Sequence, residues 1–132
     1  MRTPHDRLAV IAGAIRCASG TSFLVDPLRA GRLWGADSEP SPRAALLLRS
    51  MGYRDALIGG LLLRAGLDGR NVPGWFLASA GADAADLIGG LANHDGLDER
   101  ERTIGLWGAA AAIFIGVSGA VRSSRQATAV RP

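Results

Sequence analysis

Residues 103–121 read TIGLWGAAAAIFIGVSGAV, nineteen consecutive positions without an ionisable side chain. A helix rising about 1.5 Å per residue needs about 20 apolar residues to cross a hydrocarbon layer about 30 Å thick, so this stretch fits a membrane span. Three stretches of similar length precede it: 8–25 (LAVIAGAIRCASGTSFLV), 44–63 (AALLLRSMGYRDALIGGLLL) and 72–92 (VPGWFLASAGADAADLIGGLA). Polar connections containing Gly and Pro separate them. Four spans of one length predict an all-α fold, a four-helix transmembrane bundle in up-down order. Helices are expected over 5–25, 42–64, 72–93 and 99–122, followed by a flexible tail at 123–132, all within one domain of 132 residues.

Start and stop signals agree with those limits. Ser41 followed by Pro42 reads as an N-cap with proline in the first turn, and Asn71 before Val72-Pro73 reads the same way. Asp98 and Glu101 have the spacing of a capping box. Asp26-Pro27 closes the first helix, because the residue before proline is pushed out of the helical region. Leu57-Ile58-Gly59-Gly60-Leu61 recurs as Leu87-Ile88-Gly89-Gly90-Leu91, and Gly66-Leu67-Asp68 as Gly96-Leu97-Asp98. The second and third helices then read as an inverted-topology repeat, or as a chance likeness in a chain rich in Leu, Gly and Ala.

Composition removes several classes. With 48% hydrophobic and 20% charged residues the chain is neither an acidic disordered segment nor collagen-like. The single Cys17 forms no internal disulfide, and with His5 and His94 it cannot complete a tetrahedral metal site, so no metal and no cofactor are implied. All 15 basic residues are Arg, which reflects coding bias. They are scattered singly with no interleaved aromatic series, and the net charge is only +3, so no nucleic-acid partner is expected. Arg2 and Arg7 before an apolar run resemble a signal-peptide start, but Arg16 interrupts that run and the segment reads as a retained helix. No nucleophile elbow and no phosphate loop is present. His94-Asp95 reads as a solvated connection.

Charge sets the orientation. One set of ends collects Arg2, Arg7, Arg64, Arg70, Arg122, Arg125 and Arg131; the other collects Arg29, Arg32, Arg43, Arg100 and Arg102. Seven arginines against five places both termini in the cytoplasm of a cell with a plasma (inner) membrane. Trp34, Trp75 and Trp107 stand at span ends, where indole anchors the interface. Six charges fall inside spans: Arg16, Arg49 and Arg54 against Asp55, Asp83 and Asp86, summing to zero. The second stretch gains about 4 kcal/mol from its Leu and Ile residues while Arg49, Arg54 and Asp55 cost about 7.5, so it inserts only if pairing with Asp83 and Asp86, snorkelling of the long Arg stems or a shallow position lowers that cost. A soluble four-helix bundle with charged faces is the rival reading.

Helical spacing gives the faces. Ser79, Asp83, Asp86, Gly90 and Asn93 form one polar stripe. Arg49, Tyr53, Ala56 and Gly60 share a face with Asp55 beside it, while Arg54 is expected to point away. Ala9, Ala12, Arg16, Ser19 and Phe23 align on the first helix. Gly108, Ala112, Gly116 and Ala120 form a small-residue ridge for close helix packing. The intramembrane polar cluster is therefore Arg16, Arg49, Tyr53, Arg54, Asp55, Asp83 and Asp86. It is either structural glue between helices or a polar pocket in which Asp83 and Asp86 accept protons and Arg49 balances charge.

Gly52-Tyr53-Arg54-Asp55 followed by Gly59-Gly60, and then Asp83 and Asp86, resembles the small four-helix membrane proteins of unknown function grouped near the DoxX-like family, over residues 7–122. By that resemblance Arg54-Asp55 matches the family's Arg-Asp pair and Asp86 its acid on the third helix. DoxX-type proteins take their name from a membrane subunit of a quinone-reducing enzyme, so the resemblance implies an accessory or quinone-facing role rather than an independent enzyme. The expected partners are the lipid bilayer, another membrane subunit or a second copy, and a lipophilic small molecule. A proton-coupled enzyme or transporter using the Asp/Arg cluster is the alternative.

Overall fold

The computed structural model describes residues 5–33, 36, 39–97 and 99–129; the side chain of Glu101 is outside that set. The readings placed on Arg2, Trp34, Asp98 and Arg131 lie outside the described residues, and with them the capping box. Among the described residues there is no strand. Five α-helices follow one another: α1 (Arg7–Val25), α2 (Pro27–Leu33), α3 (Pro42–Asp68), α4 (Val72–Ala92) and α5 (Glu99–Ala129), with a 3-10 turn at His94–Gly96 before the last.

Local chemistry explains most boundaries. Asp6 caps α1, its carboxylate accepting from the Leu8 and Ala9 N–H groups. Asp26-Pro27 ends α1 as expected, but Pro27 also opens a further helix, so α2 occupies part of the connection between the first two stretches. Ser41 caps α3 through its hydroxyl, which accepts from Ala44 N–H at 3.2 Å. At the other end of α3, Gly69 adopts φ 65°, the left-handed conformation that closes a helix at no steric cost. Asn71 differs from expectation. It sits at φ 53° and makes no side-chain cap bond, because the tight turn after Gly69 uses its tolerance of the left-handed region instead. Helix α5 runs on to Ala129, so residues 123–129, read as flexible tail, continue the helix.

The long helices form two closely packed pairs, α1 with α3 and α4 with α5, with a lighter α3–α4 contact. The α1/α3 pair is antiparallel and held backbone to backbone. A methyl placed on Gly20 would collide with the Ala56 nitrogen and sit 2.6 Å from the Gly52 carbonyl oxygen; one on Gly13 would sit 2.7 Å from the Gly59 carbonyl oxygen. Gly66 meets Val10 N and Ala9 in the same way. These glycines recur every seven residues, 13 and 20 on α1 and 52, 59 and 66 on α3, so they lie along one face of each helix. The repeated motif does not repeat its role: Gly59 lies against Cys17 N and the Gly13 carbonyl, whereas its counterpart Gly89 has nothing within 4 Å.

On α5 only half of the small-residue ridge is used. Gly116 and Ala120 are buried, Gly116 against Ala80 and Phe76, while Gly108 is exposed with no neighbour within 4 Å. Packing therefore concentrates at one end, around Ala9, Leu62, Ala65, Val72, Phe76 and Ala120, with Trp75 packed against them. Trp107, by contrast, is 73% exposed. Phe76 and Leu62 are the largest fully buried side chains described, whereas Ile11, Ile15, Leu77, Ile88, Phe114 and many others are exposed. Helices α1 and α5 (the latter over Arg102–Ala129) are long and apolar enough to cross a membrane. Helices α3 and α4 do not meet that measure, because Arg49, Arg54 and Asp55 interrupt one and Asp83 and Asp86 the other.

Candidate functional site: a buried Arg–Asp chain beside an apolar groove

Three helices bring five charged side chains into one chain of contacts. Arg16 of α1 donates from Nη2 to Asp55 Oδ1 on α3 at 2.9 Å and from Nη1 to Asp83 Oδ2 on α4 at 2.8 Å. The same Nη1 also donates to Ser79 Oγ at 2.9 Å. Asp55 Oδ1 accepts a further bond from Arg54 Nε at 3.1 Å, and Arg54 grips both oxygens of Asp86 at 2.9 and 2.6 Å. The order Asp83–Arg16–Asp55–Arg54–Asp86 alternates in sign from end to end. Bidentate guanidinium–carboxylate contact is the strong form of such a pair.

The glycine seam makes this possible. Gly13, Gly20, Gly52 and Gly59 draw α1 and α3 together, which sets Arg16 against Asp55 without intervening side chains. Helix α4 then presents Ser79, Asp83 and Asp86 from successive turns of one face, as its polar stripe predicts. Arg16 and Asp83 side chains are only 13% and 10% exposed, whereas Arg54 and Asp86 are 33% and 38% exposed at the outer end. The Arg16 Nε is buried with no hydrogen-bond acceptor.

Five of the seven residues expected in the polar cluster are thus joined. Arg49 and Tyr53 are not. Gly52 already meets Leu24 N, and α1 ends at Val25, so Arg49 lies about one turn past the α1/α3 seam. It is exposed and makes no ion pair among the described residues. Tyr53 is 59% exposed, about 100° around the helix from Gly52. Arg54, expected to point away, is in the network instead, because its long side chain reaches Asp86 across the α3–α4 contact. No group of three or more His, Cys, Asp and Glu side chains placed to hold a metal ion is found among the described residues.

An apolar groove of about 420 Å³ runs between α3 and α4, walled by Leu47, Leu48 and Met51, with Arg54 and Asp86 on its surface. A second, of about 320 Å³, lies between α4 and α5 at Leu87, Leu106 and Trp107. Both are at the end of the molecule opposite the packed core, where the helices stand apart.

At the packed end a second polar cluster ties the two helix pairs together. Asp6, 8% exposed, accepts from Ser123 Oγ and Arg122 Nη2 on α5, each at 2.9 Å, besides capping α1, and its N–H donates to the Gly66 carbonyl at 2.9 Å. Burial opposes ionisation of Asp6, but the Ala9 N–H, the Ser123 hydroxyl, Arg122 and the Leu8 N–H together outweigh it and hold the carboxyl below its ordinary value. Sequence reasoning missed this clasp. An Asp just before a helix start signals a cap, yet nothing local announces a partner more than a hundred residues away.

Fold and site together define an all-helical protein with ionised groups inside, apolar side chains outside and two helices able to span a membrane. The chain belongs to the family described as a domain of unknown function, DUF4267, whose family model matches residues 13–122. No curated protein and no solved structure matches it.

Proposed function

We propose that this protein is a multi-pass component of a bacterial inner membrane that binds a lipophilic small molecule with a polar head, acting as an accessory subunit beside another membrane protein. One observation carries the reading, the reversal of ordinary polarity: Asp83 is buried and the Arg16 side chain is only 13% exposed, while Ile15 and Phe114 are 66% and 73% exposed. Water would leave that apolar surface uncovered, whereas acyl chains cover it and the ionised groups pair with one another. Helices α1 and α5 span on their own apolarity. Helices α3 and α4 accompany them because Arg54, Asp55, Asp83 and Asp86 are neutralised inside the protein rather than against lipid. Both termini lie on the cytoplasmic side with Arg7, Arg64, Arg70, Arg122 and Arg125.

The α3/α4 groove is the binding site in this reading. Its apolar walls suit a hydrocarbon tail, and Arg54 at its surface offers guanidinium N–H groups to a carbonyl oxygen of a quinone-like head. The DoxX-like resemblance points to the same ligand class. The test is calorimetric titration of the detergent-solubilised protein with a short-chain quinone. Saturable binding, weakened about tenfold or more by Arg54→Gln, is the expected result, equivalent to about 1.4 kcal/mol. Equal affinity in Arg54→Gln would remove the groove from the reading, and release of the protein from membranes by alkaline carbonate would remove the membrane assignment itself.

A further inference from the structure

The groove between α4 and α5, separate from that between α3 and α4, is graded in polarity along its length. Arg102 and Thr103 stand at one end, where the uncharged positions 103–121 begin, so a bilayer around α5 puts them at headgroup level. Leu106 and Trp107 follow about 6–8 Å deeper at 1.5 Å per residue, and Leu87 lines the same groove from α4, about as far below that helix's end at Ala92. The cleft of about 320 Å³ is polar at its mouth and apolar beneath.

Arg102 is half-buried and held in place, its Nε donating to the His94 carbonyl at 2.7 Å. Its two terminal nitrogens make no hydrogen bond and no ion pair among the described residues. A guanidinium so presented matches the oxygens of a phosphate. Thr103 donates its hydroxyl to the Glu99 carbonyl at 2.8 Å, and Glu99, four residues earlier, stands one turn further out on the groove's side of α5. Its side chain is exposed and has no ion-pair partner among the described residues. A cation at the mouth, an anion beyond it and apolar walls beneath repeat, with opposite sign, the charge order of a phospholipid whose phosphate carries an amine. We infer that the α4/α5 groove binds one phosphatidylethanolamine-type lipid, with its phosphate on Arg102, its ammonium on Glu99 and an acyl chain along Leu87, Leu106 and Trp107. A lipid whose anionic head lacks the amine leaves Glu99 facing like charge and binds less well. The site rests on the membrane reading and is independent of what the α3/α4 groove holds.

Trp107 fluorescence of the full chain in detergent micelles tests this directly. Phosphatidylethanolamine with brominated acyl chains is titrated in, and Trp107→Phe supplies the background from Trp34 and Trp75. Quenching of Trp107 is expected to saturate and to be reversed by unbrominated phosphatidylethanolamine, but not by glycerophosphoethanolamine, the same head without tails. Brominated phosphatidylglycerol is expected to bind about fivefold more weakly, and Arg102→Gln to weaken phosphatidylethanolamine by a similar factor. Glu99→Gln, which leaves the main-chain bond to Thr103 intact, is expected to abolish the difference between the two lipids, an effect that a loss of structure does not produce. Arg43→Gln, at an exposed arginine outside the groove, is expected to change nothing. Quenching in simple proportion to the brominated lipid, equal affinity in Arg102→Gln, reversal by the tailless head, or a lipid preference that survives Glu99→Gln would overturn the proposal. In a protein that resists alkaline carbonate, those results strike the lipid site alone; release by carbonate strikes the membrane reading with it.

Discussion

The two helix pairs are built on opposite terms. Along α1/α3 glycines on both helices let the backbones touch, and a methyl group at Gly13, Gly20, Gly52 or Gly59 would strike main-chain atoms. Along α4/α5 side chains carry more of the contact: a methyl at Gly119 would strike the Phe76 ring, one at Gly116 would meet the Ala80 methyl first and sit 3.0 Å from the Phe76 carbonyl oxygen, and Gly105 and Gly108 have nothing within 4 Å. Without a hydrophobic driving force between helices in lipid, close backbone approach is a main source of association. The difference teaches that α1/α3 is the rigid frame carrying Arg16, Arg54 and Asp55, and that α4/α5 is the adaptable layer laid on it.

Single methyl groups are the sharpest way to break that contrast. Gly20→Ala or Gly59→Ala is expected to cost about 3 kcal/mol, at the upper end for overpacking, because backbone on the facing helix cannot rotate aside. Thermal unfolding in detergent measures it; a midpoint equal to the parent's would dissolve the distinction. A smaller effect is expected at the clasp between the pairs. Asp6→Ala removes an N-cap and the acceptor for Ser123 and Arg122, costing about 1–2 kcal/mol. Its carboxyl is held below the ordinary value of 3.8 in the folded protein, so the stability it contributes is complete above that value and is lost as pH falls through the lower folded one. The gap between parent and Asp6→Ala is therefore expected to hold at neutral pH and to shrink only below pH 3.8; a gap that closes already above it would refute this account. The smallest effect is expected at Gly108→Ala, within about 1 kcal/mol and favourable in sign, since it adds helix propensity in open space. Marked destabilisation there would mean that α5 is covered along its whole length.

Much of this was legible in the letters. Helix identity followed from four apolar stretches, and Ser41-Pro42 and Asp26-Pro27 marked real boundaries, because caps and proline act through neighbouring backbone alone. Asp83 and Ser79 on one stripe, and Arg16 on the inward side of α1, were readable from helical period. Arg49 was misplaced because a face calculation does not know where the opposing helix ends, and Tyr53 because it lies about 100° around α3 from the Gly52 seam. Arg54 was misplaced because angular position describes Cβ, while a long arginine delivers its charge well away from it. The seven-residue glycine spacing was present in the sequence, but Leu57–Leu61 and its copy drew attention to glycines that do different jobs. Asp6 with Ser123 is a contact of tertiary structure only.

A seam made of main chain against main chain holds no bulky groups that could re-pack in a neighbouring notch. Helices α1 and α3 are therefore expected to behave as one strut, with Asp6 on Ser123 fastening α5 to one end of it and Arg54 on Asp86 fastening α4 beside Met51 at the other.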